Sequence, residues 1–111
     1  MEDDLVSWGR VLRIETRGRT TGRTAQATVG FVDQPDGTLL IAAGSPHADW
    51  ALNLIADPTC RVTVGEATWP AVARELDGAE HGAAVRELIL KYGTPAESLG
   101  AGPAFVLRRE A

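Results

Sequence analysis

Apolar and polar positions along the chain alternate in short runs, the period of half-buried β-strands, and give way to helical spacing in two segments. Val11 to Thr16 sets Leu12 and Ile14 against Arg13 and Glu15, which predicts a strand with one buried face. Ala25 to Asp33 predicts a second strand, Gln34-Pro35-Asp36-Gly37 a turn, and the nearly continuous apolar run Thr38 to Ala43 a strand buried on both faces. Ser45 followed by Pro46 predicts a helix start, with the serine as cap and the proline in the first turn, where its missing N–H costs nothing. That helix is expected to run to about Ala56, with Ala51, Leu54 and Ile55 on one stripe, and to end at Asp57-Pro58.

The second half repeats the habit. Thr59 to Val64 reads as a strand, Gly65-Glu66 as a tight turn, and Ala67 to Leu76 as a long strand in which Pro70 predicts an edge position or a bulge. Val85, Leu88, Ile89 and Tyr92 have helical spacing within Ala79 to Tyr92, with Gly93 as cap. A loop of small residues, Thr94 to Gly102, leads to a last strand, Pro103 to Arg109. About six strands joined mainly by hairpins, with two short segregated helices, predict a mainly β fold, a small antiparallel barrel rather than a βαβ sheet.

Length and charge narrow the functional classes. A chain of 111 residues with 44% apolar content is one domain, expected over 11–111 behind an N-terminal extension at 1–10. Its formal net charge of −4 is the wrong balance for non-specific nucleic-acid binding. No apolar run suits a membrane span, and the start Met1-Glu2-Asp3-Asp4 is the reverse of a targeting signal, so a cytoplasmic protein is expected. The single Cys60 offers no internal disulfide and, with His47 and His81, no metal-ligand spacing. It shares a strand face with Val62 and Val64, which predicts a small buried residue rather than a nucleophile. His81 lies one turn before Val85 on the same side, where a packing or helix-end histidine is expected, no acid or nucleophile being placed beside it.

The most chemically pointed segment is Thr16-Arg17-Gly18-Arg19-Thr20-Thr21-Gly22-Arg23, with three arginines, three hydroxyls and two glycines between expected strands. Glycine lets backbone N–H groups approach an anion, hydroxyls donate further bonds, and guanidinium groups add charge and a planar donor fork. A solvated arginine-rich hairpin turn is the alternative.

The order of Arg17-Gly18-Arg19-Thr20-Thr21-Gly22, then Asp36-Gly37 before an apolar strand ending Ala42-Ala43-Gly44-Ser45, then Trp50-Ala51-Leu52-Asn53-Leu54-Ile55-Ala56-Asp57-Pro58, resembles the deazaflavin-dependent nitroreductase family. The resemblance runs from Val11 to Arg109 and is most specific at the tryptophan-x-x-asparagine-leucine segment. It implies a split β-barrel that binds coenzyme F-420, within the superfamily of FMN-binding split barrels. It also implies three contact zones. Thr16, Arg17 and Gly18 would meet the phosphate of the cofactor tail, with Arg19 and Thr21 in the same turn, and Gly22 to Ala27, with Arg23, Thr24 and Ala25 among them, would continue that wall into the next strand. Ala42, Ala43, Gly44 and Ser45 would run along the deazaflavin ring, and Trp50, Asn53 and Leu54 would belong to the helix that closes the pocket. Small side chains at Ala42 to Gly44 and a helix N-terminus near Ser45 suit a flat anionic ring. A packed aromatic and a helix-end hydrogen bond are the alternative for Trp50 and Asn53.

Some positions depart from the family pattern. The segment Gly44 to Asp49 is short, Ala25 stands where an arginine is usual, and no tyrosine follows Tyr92. The resemblance implies an oxidoreductase that passes hydride from reduced F-420 to a quinone, a nitroaromatic or another electron-poor small molecule, with the catalytic residue unassigned. The alternatives are an FMN-binding protein of the same fold and a binding module without catalysis. Trp8, Trp69 and Phe105 lie on segments whose alternation does not turn all three into one small core, which predicts a homodimer. A monomer with Leu5, Val6 and Trp8 folded back over the barrel is the other arrangement.

Overall fold

Residues Val6, 8–93 and 99–110 are described by a computed structural model. Leu5 and residues 94–98, part of the expected small-residue loop, lie outside them. The strands are β1 (Leu12–Arg17), β2 (Thr24–Val29), β3 (Val32–Asp33), β4 (Leu39–Ala42), β5 (Thr59–Val64), β6 (Ala67–Leu76) and β7 (Ala104–Arg109). Helix α1 (Asp49–Ala56) joins β4 to β5, and α2 (Gly78–Tyr92) precedes β7. All strand pairings are antiparallel, in the order β2-β1-β5-β6-β7-β4-β3.

Seven strands stand where about six were expected, because the run Ala25 to Asp33 divides at Gly30 and Phe31. Its halves, β2 and β3, occupy opposite edges of the sheet although two residues separate them, so the sheet must curl until its edges approach. The C-terminus of α2 holds the crossing point. The Phe31 amide donates to the Tyr92 hydroxyl at 3.0 Å, the Tyr92 hydroxyl donates to the Arg10 carbonyl at 2.7 Å, and Lys91 Nζ donates to the Phe31 carbonyl at 2.6 Å. The Phe31 side chain is thereby turned into the core.

Inside the curl, Leu12 and Ile14 of β1, Val62 of β5, Ala71 and Ala73 of β6, and Phe105 and Leu107 of β7 form one apolar cluster, closed by Ala51 and Leu54 of α1. On the other side of the sheet Leu40, Ala42, Leu76 and Ala104 meet Ala84 and Leu88 of α2. Strand β4 faces both clusters and is buried throughout, as its continuous apolar run predicts.

Two expectations need correction. First, α1 begins at Asp49 with Ala48 as its N-terminal flank and no side-chain cap. Ser45 does not cap it, since its hydroxyl accepts the His47 amide at 3.1 Å, a local turn that competes with capping. Second, β6 is a central strand rather than an edge, and Pro70 stands one residue before its pairing with β7 begins at Ala71, where the Pro70 carbonyl still accepts the Glu110 amide at 2.9 Å. The three aromatics Trp8, Trp69 and Phe105 do not all turn into the core: Phe105 is in it at 1% exposure, and Trp69 is half-buried under the Arg109 guanidinium at 4.3 Å. Trp8 stays outside, at 69% exposure, as the expectation that not all three face one small core requires. Val6 does fold back: it is buried, and its carbonyl accepts the Gly65 amide at 2.7 Å.

Candidate cofactor site

The glycine-arginine segment forms the turn between β1 and β2 and is closed by its own bonds. The Gly18 amide donates to the Arg23 carbonyl and the Gly22 amide to the Gly18 carbonyl, each at 2.8 Å, while the Arg23 amide donates to Thr21 Oγ1 at 3.2 Å. Gly22 has φ +74°, a backbone state that side chains disfavour.

At the inner root of the turn sit Thr16 and Asn53, the buried polar residues of the described chain, each 2% exposed. Asn53 comes from α1. Its Oδ1 accepts Arg19 twice, from the backbone amide at 3.2 Å and from Nη1 at 2.7 Å, and its Nδ2 donates to Thr16 Oγ1 at 3.1 Å. Arg19 also pairs with the Asp49 carboxylate in the first turn of the helix at 3.2 Å. These bonds use the polar groups that burial would otherwise leave unsatisfied, and they lock the turn to α1.

Because Arg19 is committed to this clamp, the charge available to a ligand comes from Arg17 and Arg23. Both are exposed and lack a salt-bridge partner among the described residues. Arg17, Gly22 and Thr24 line an open groove of about 790 Å³ together with Glu15, Thr16, Thr59, Cys60 and Arg61. Beside it, hydrogen bonds from the Thr59 hydroxyl and amide hold the Asp57 carboxyl below its ordinary range, with the Arg17 charge adding to the effect. Burial pushes the Cys60 thiol up to about 11, so it stays protonated near neutrality and is no nucleophile. Among the described residues no group of acidic, histidine or cysteine side chains could hold a metal ion, and no helix is long and apolar enough to cross a membrane.

The second zone is the end of β4. Ala42 packs toward α2, Ala43 enters the inner core, and Gly44 and Ser45 lie exposed before α1. The Ala43 amide donates to the Pro103 carbonyl at 2.8 Å, so the chain entering β7 backs this segment. Trp50 is half-buried, its ring 5.8 Å from Phe105 and tilted by 55°. Leu54 is core, and Ala25, half-buried on β2, stands opposite Thr16.

The structure thus joins Thr16, Arg19 and Asn53 directly and ranges Arg17, Gly22 and Thr24 along one groove. Ala43 and Trp50 share the inner cluster, whereas the side chains of Ala42 and Leu54 face packing partners. Sequence reasoning missed Asp49, whose acidic place three residues after Pro46 was a usable signal for an arginine partner, and it missed Gly102, discussed below. A ligand with an anionic tail and a flat ring fits this set: two exposed guanidinium groups at one end, a small-residue wall at the other, and α1 bracing both.

A curled antiparallel sheet with an anion-competent turn tied to a helix beside a small-residue strand end defines a split-barrel cofactor-binding protein. The family described as F420H(2)-dependent quinone reductase matches residues 5–95, and the chain belongs to it. It is therefore an oxidoreductase whose family cofactor is coenzyme F-420, as the resemblance implied. Among solved structures it is similar to the F420-H2 Dependent Reductase FDR-A, at 26% identity over 89% of this chain and 94% of that one, with TM-score 0.75. A protein described as a domain-swapped dimer matches at 23% identity over 96% and 92% of the two chains, with TM-score 0.74. The heme storage protein HutZ from Vibrio cholerae matches at 19% identity over 98% and 87%, with TM-score 0.75. The last two share the fold alone. None of the curated proteins matches the chain.

Proposed function

We propose that this chain anchors the anionic tail of F-420 on Arg17, Arg23 and the turn hydroxyls, lays the ring along Ala43, Gly44 and Ser45, and reduces a quinone or similarly electron-poor flat acceptor. The observation that carries this reading is the Arg19–Asn53 clamp, because it makes tail anchor and closing helix one rigid unit. Bound in its reduced form, the deazaflavin supplies a hydride. The protein's part is binding and orientation: guanidinium groups neutralise the tail, small side chains let a ring approach the backbone, and Trp50 shields its edge from water. No side-chain nucleophile is needed. The exposed rim Gly44, Ser45 and Pro46 carries no formal charge, which suits a neutral acceptor.

We further propose a homodimer, on the strength of the exposed Trp8. The function is tested by titrating purified protein with F-420, then mixing the reduced complex with a soluble naphthoquinone under anaerobic conditions. Saturable binding and protein-dependent oxidation are expected. Failure to bind F-420, or a protein that purifies coloured by FMN, would overturn the reading.

A further inference from the structure

The ring wall proposed above has a backing that no cofactor contact explains. Gly102 packs so closely behind it that a β-carbon there would lie 2.5 Å from the Ala43 carbonyl oxygen and 2.6 Å from the Ser45 carbonyl oxygen, so only glycine fits without displacement. One residue on, the Pro103 carbonyl accepts the Ala43 amide at 2.8 Å. The Gly102 carbonyl is in turn held by His81, whose Nε2 lies 2.8 Å from it. A carbonyl can only accept, so Nε2 carries the proton and the imidazole is the donor. His81 belongs to the first turns of α2, a helix fastened to the outer face of the sheet by Ala84 and Leu88.

We propose that His81 is a positioning residue for hydride transfer: by holding the Gly102 carbonyl it restrains the Gly102–Pro103 step that packs against Ala43 and Ser45, and so fixes the height of the wall on which the ring lies. The inference rests on the ring placement proposed above. Two independent contacts converge on the same short step, the donated imidazole bond and the close backbone approach. A histidine that merely packed would not need to meet a carbonyl at a glycine whose close neighbours are backbone atoms. Wall position matters because a displacement well under the size of an atom misaligns donor carbon and acceptor.

The test compares His81→Ala, His81→Gln and wild type. Loss of one part-buried hydrogen bond corresponds to about three- to tenfold in an equilibrium, so in His81→Ala the Ala43 amide should exchange with solvent about three- to tenfold faster in the free protein. In the same variant kcat should fall by about the same factor. The affinity for F-420, set mainly by the tail, should stay within about twofold, and the spectrum of the bound ring should shift. His81→Gln, which keeps a donor of similar reach, should restore both exchange and kcat toward wild type. Gly102→Ala provides a second route, moving the wall with the histidine intact and reproducing the spectral shift. Unchanged Ala43 exchange and kcat in His81→Ala, or a glutamine variant no better than alanine, overturns the inference while leaving the cofactor reading in place. If wild type itself fails to bind F-420, the ring placement falls first and the inference with it.

Discussion

Arg19 meets the side-chain oxygen of Asn53 through both its backbone amide and its guanidinium, across 34 residues of sequence. This double contact converts a glycine-rich turn, which would otherwise be mobile, into a fixed extension of α1. It also assigns the arginines different work. Arg19 ties the turn to α1, and Arg17 and Arg23 stay exposed, as the proposed tail anchor requires.

Asn53→Ala should therefore cost stability and binding together. It strands the buried Thr16 hydroxyl and the Arg19 amide, a loss of about 1–3 kcal/mol in unfolding free energy. Chemical denaturation should show that drop, with F-420 affinity reduced in the still-folded protein. Asn53→Asp keeps the acceptor for Arg19 but loses the donor to Thr16, and should fall between alanine and wild type. An alanine variant as stable as wild type would mean that the clamp contributes nothing.

Arg17→Ala should separate binding from folding. Exposed and without a salt-bridge partner among the described residues, Arg17 in the proposed tail site should supply charge-assisted hydrogen bonding of about 1.5–3 kcal/mol, or roughly tenfold or more in Kd. Its melting temperature should stay at the wild-type value. Glu66→Ala serves as the control, being an exposed charge on the β5–β6 turn away from the groove. Equal affinities in the two variants would place the tail elsewhere.

Much of this architecture was legible because the alternation of apolar residues reports directly on which strand face is buried. Leu12, Ile14, Val62 and the unbroken run of β4 all lie where that pattern put them. The failures have a common physical origin in distant partners. Nothing local to Gly30 shows that Tyr92 and Lys91 will seize Phe31 from another element and split one strand into two. Ser45 followed by proline is a good capping signal, yet the serine spends its hydroxyl on the His47 amide. The arginine-rich turn announced an anion site, but the pairing of Arg19 with Asp49 and Asn53 depends on how α1 docks on β1, which spacing does not encode.

Cys60 offers a pH test. Its thiol, raised by burial from 9.0 to about 11, is protonated in the folded state under conditions where an unfolded thiol ionises. The contribution to stability is complete below pH 9 and fades as pH rises toward 11. Cys60→Ala should flatten that part of the stability profile. Thiol alkylation at pH 8 should be slow in native protein and fast in denaturant, and rapid native labelling would contradict the burial.

Trp50→Phe distinguishes a ring cover from a core filler. The residue touches Phe105 on one side and is half-exposed on the other. If its exposed edge shields the cofactor, the phenylalanine variant should melt within a few degrees of wild type and bind F-420 several-fold more weakly. If it mainly fills the core, the cavity left by the smaller ring should lower stability by about 1–2 kcal/mol with binding intact.

The oligomeric state turns on Trp8. With Phe105 in the core and Trp69 covered by Arg109, Trp8 is the remaining aromatic in search of a partner, 69% exposed next to a Val6 that is itself tucked against the β5–β6 turn. An indole in that state is a natural centre for a symmetric contact, since self-association removes it from water on both copies at once. Light scattering should give a mass near two chains of 11.8 kDa at micromolar concentration. Trp8→Arg should return the protein to one chain without lowering its melting temperature, because little of the monomer's core rests on this side chain. Trp8 fluorescence should also shift to the blue as concentration rises through the association range. A mass of one chain throughout, with a fluorescence maximum indifferent to concentration, would show that the exposed indole serves no contact between copies.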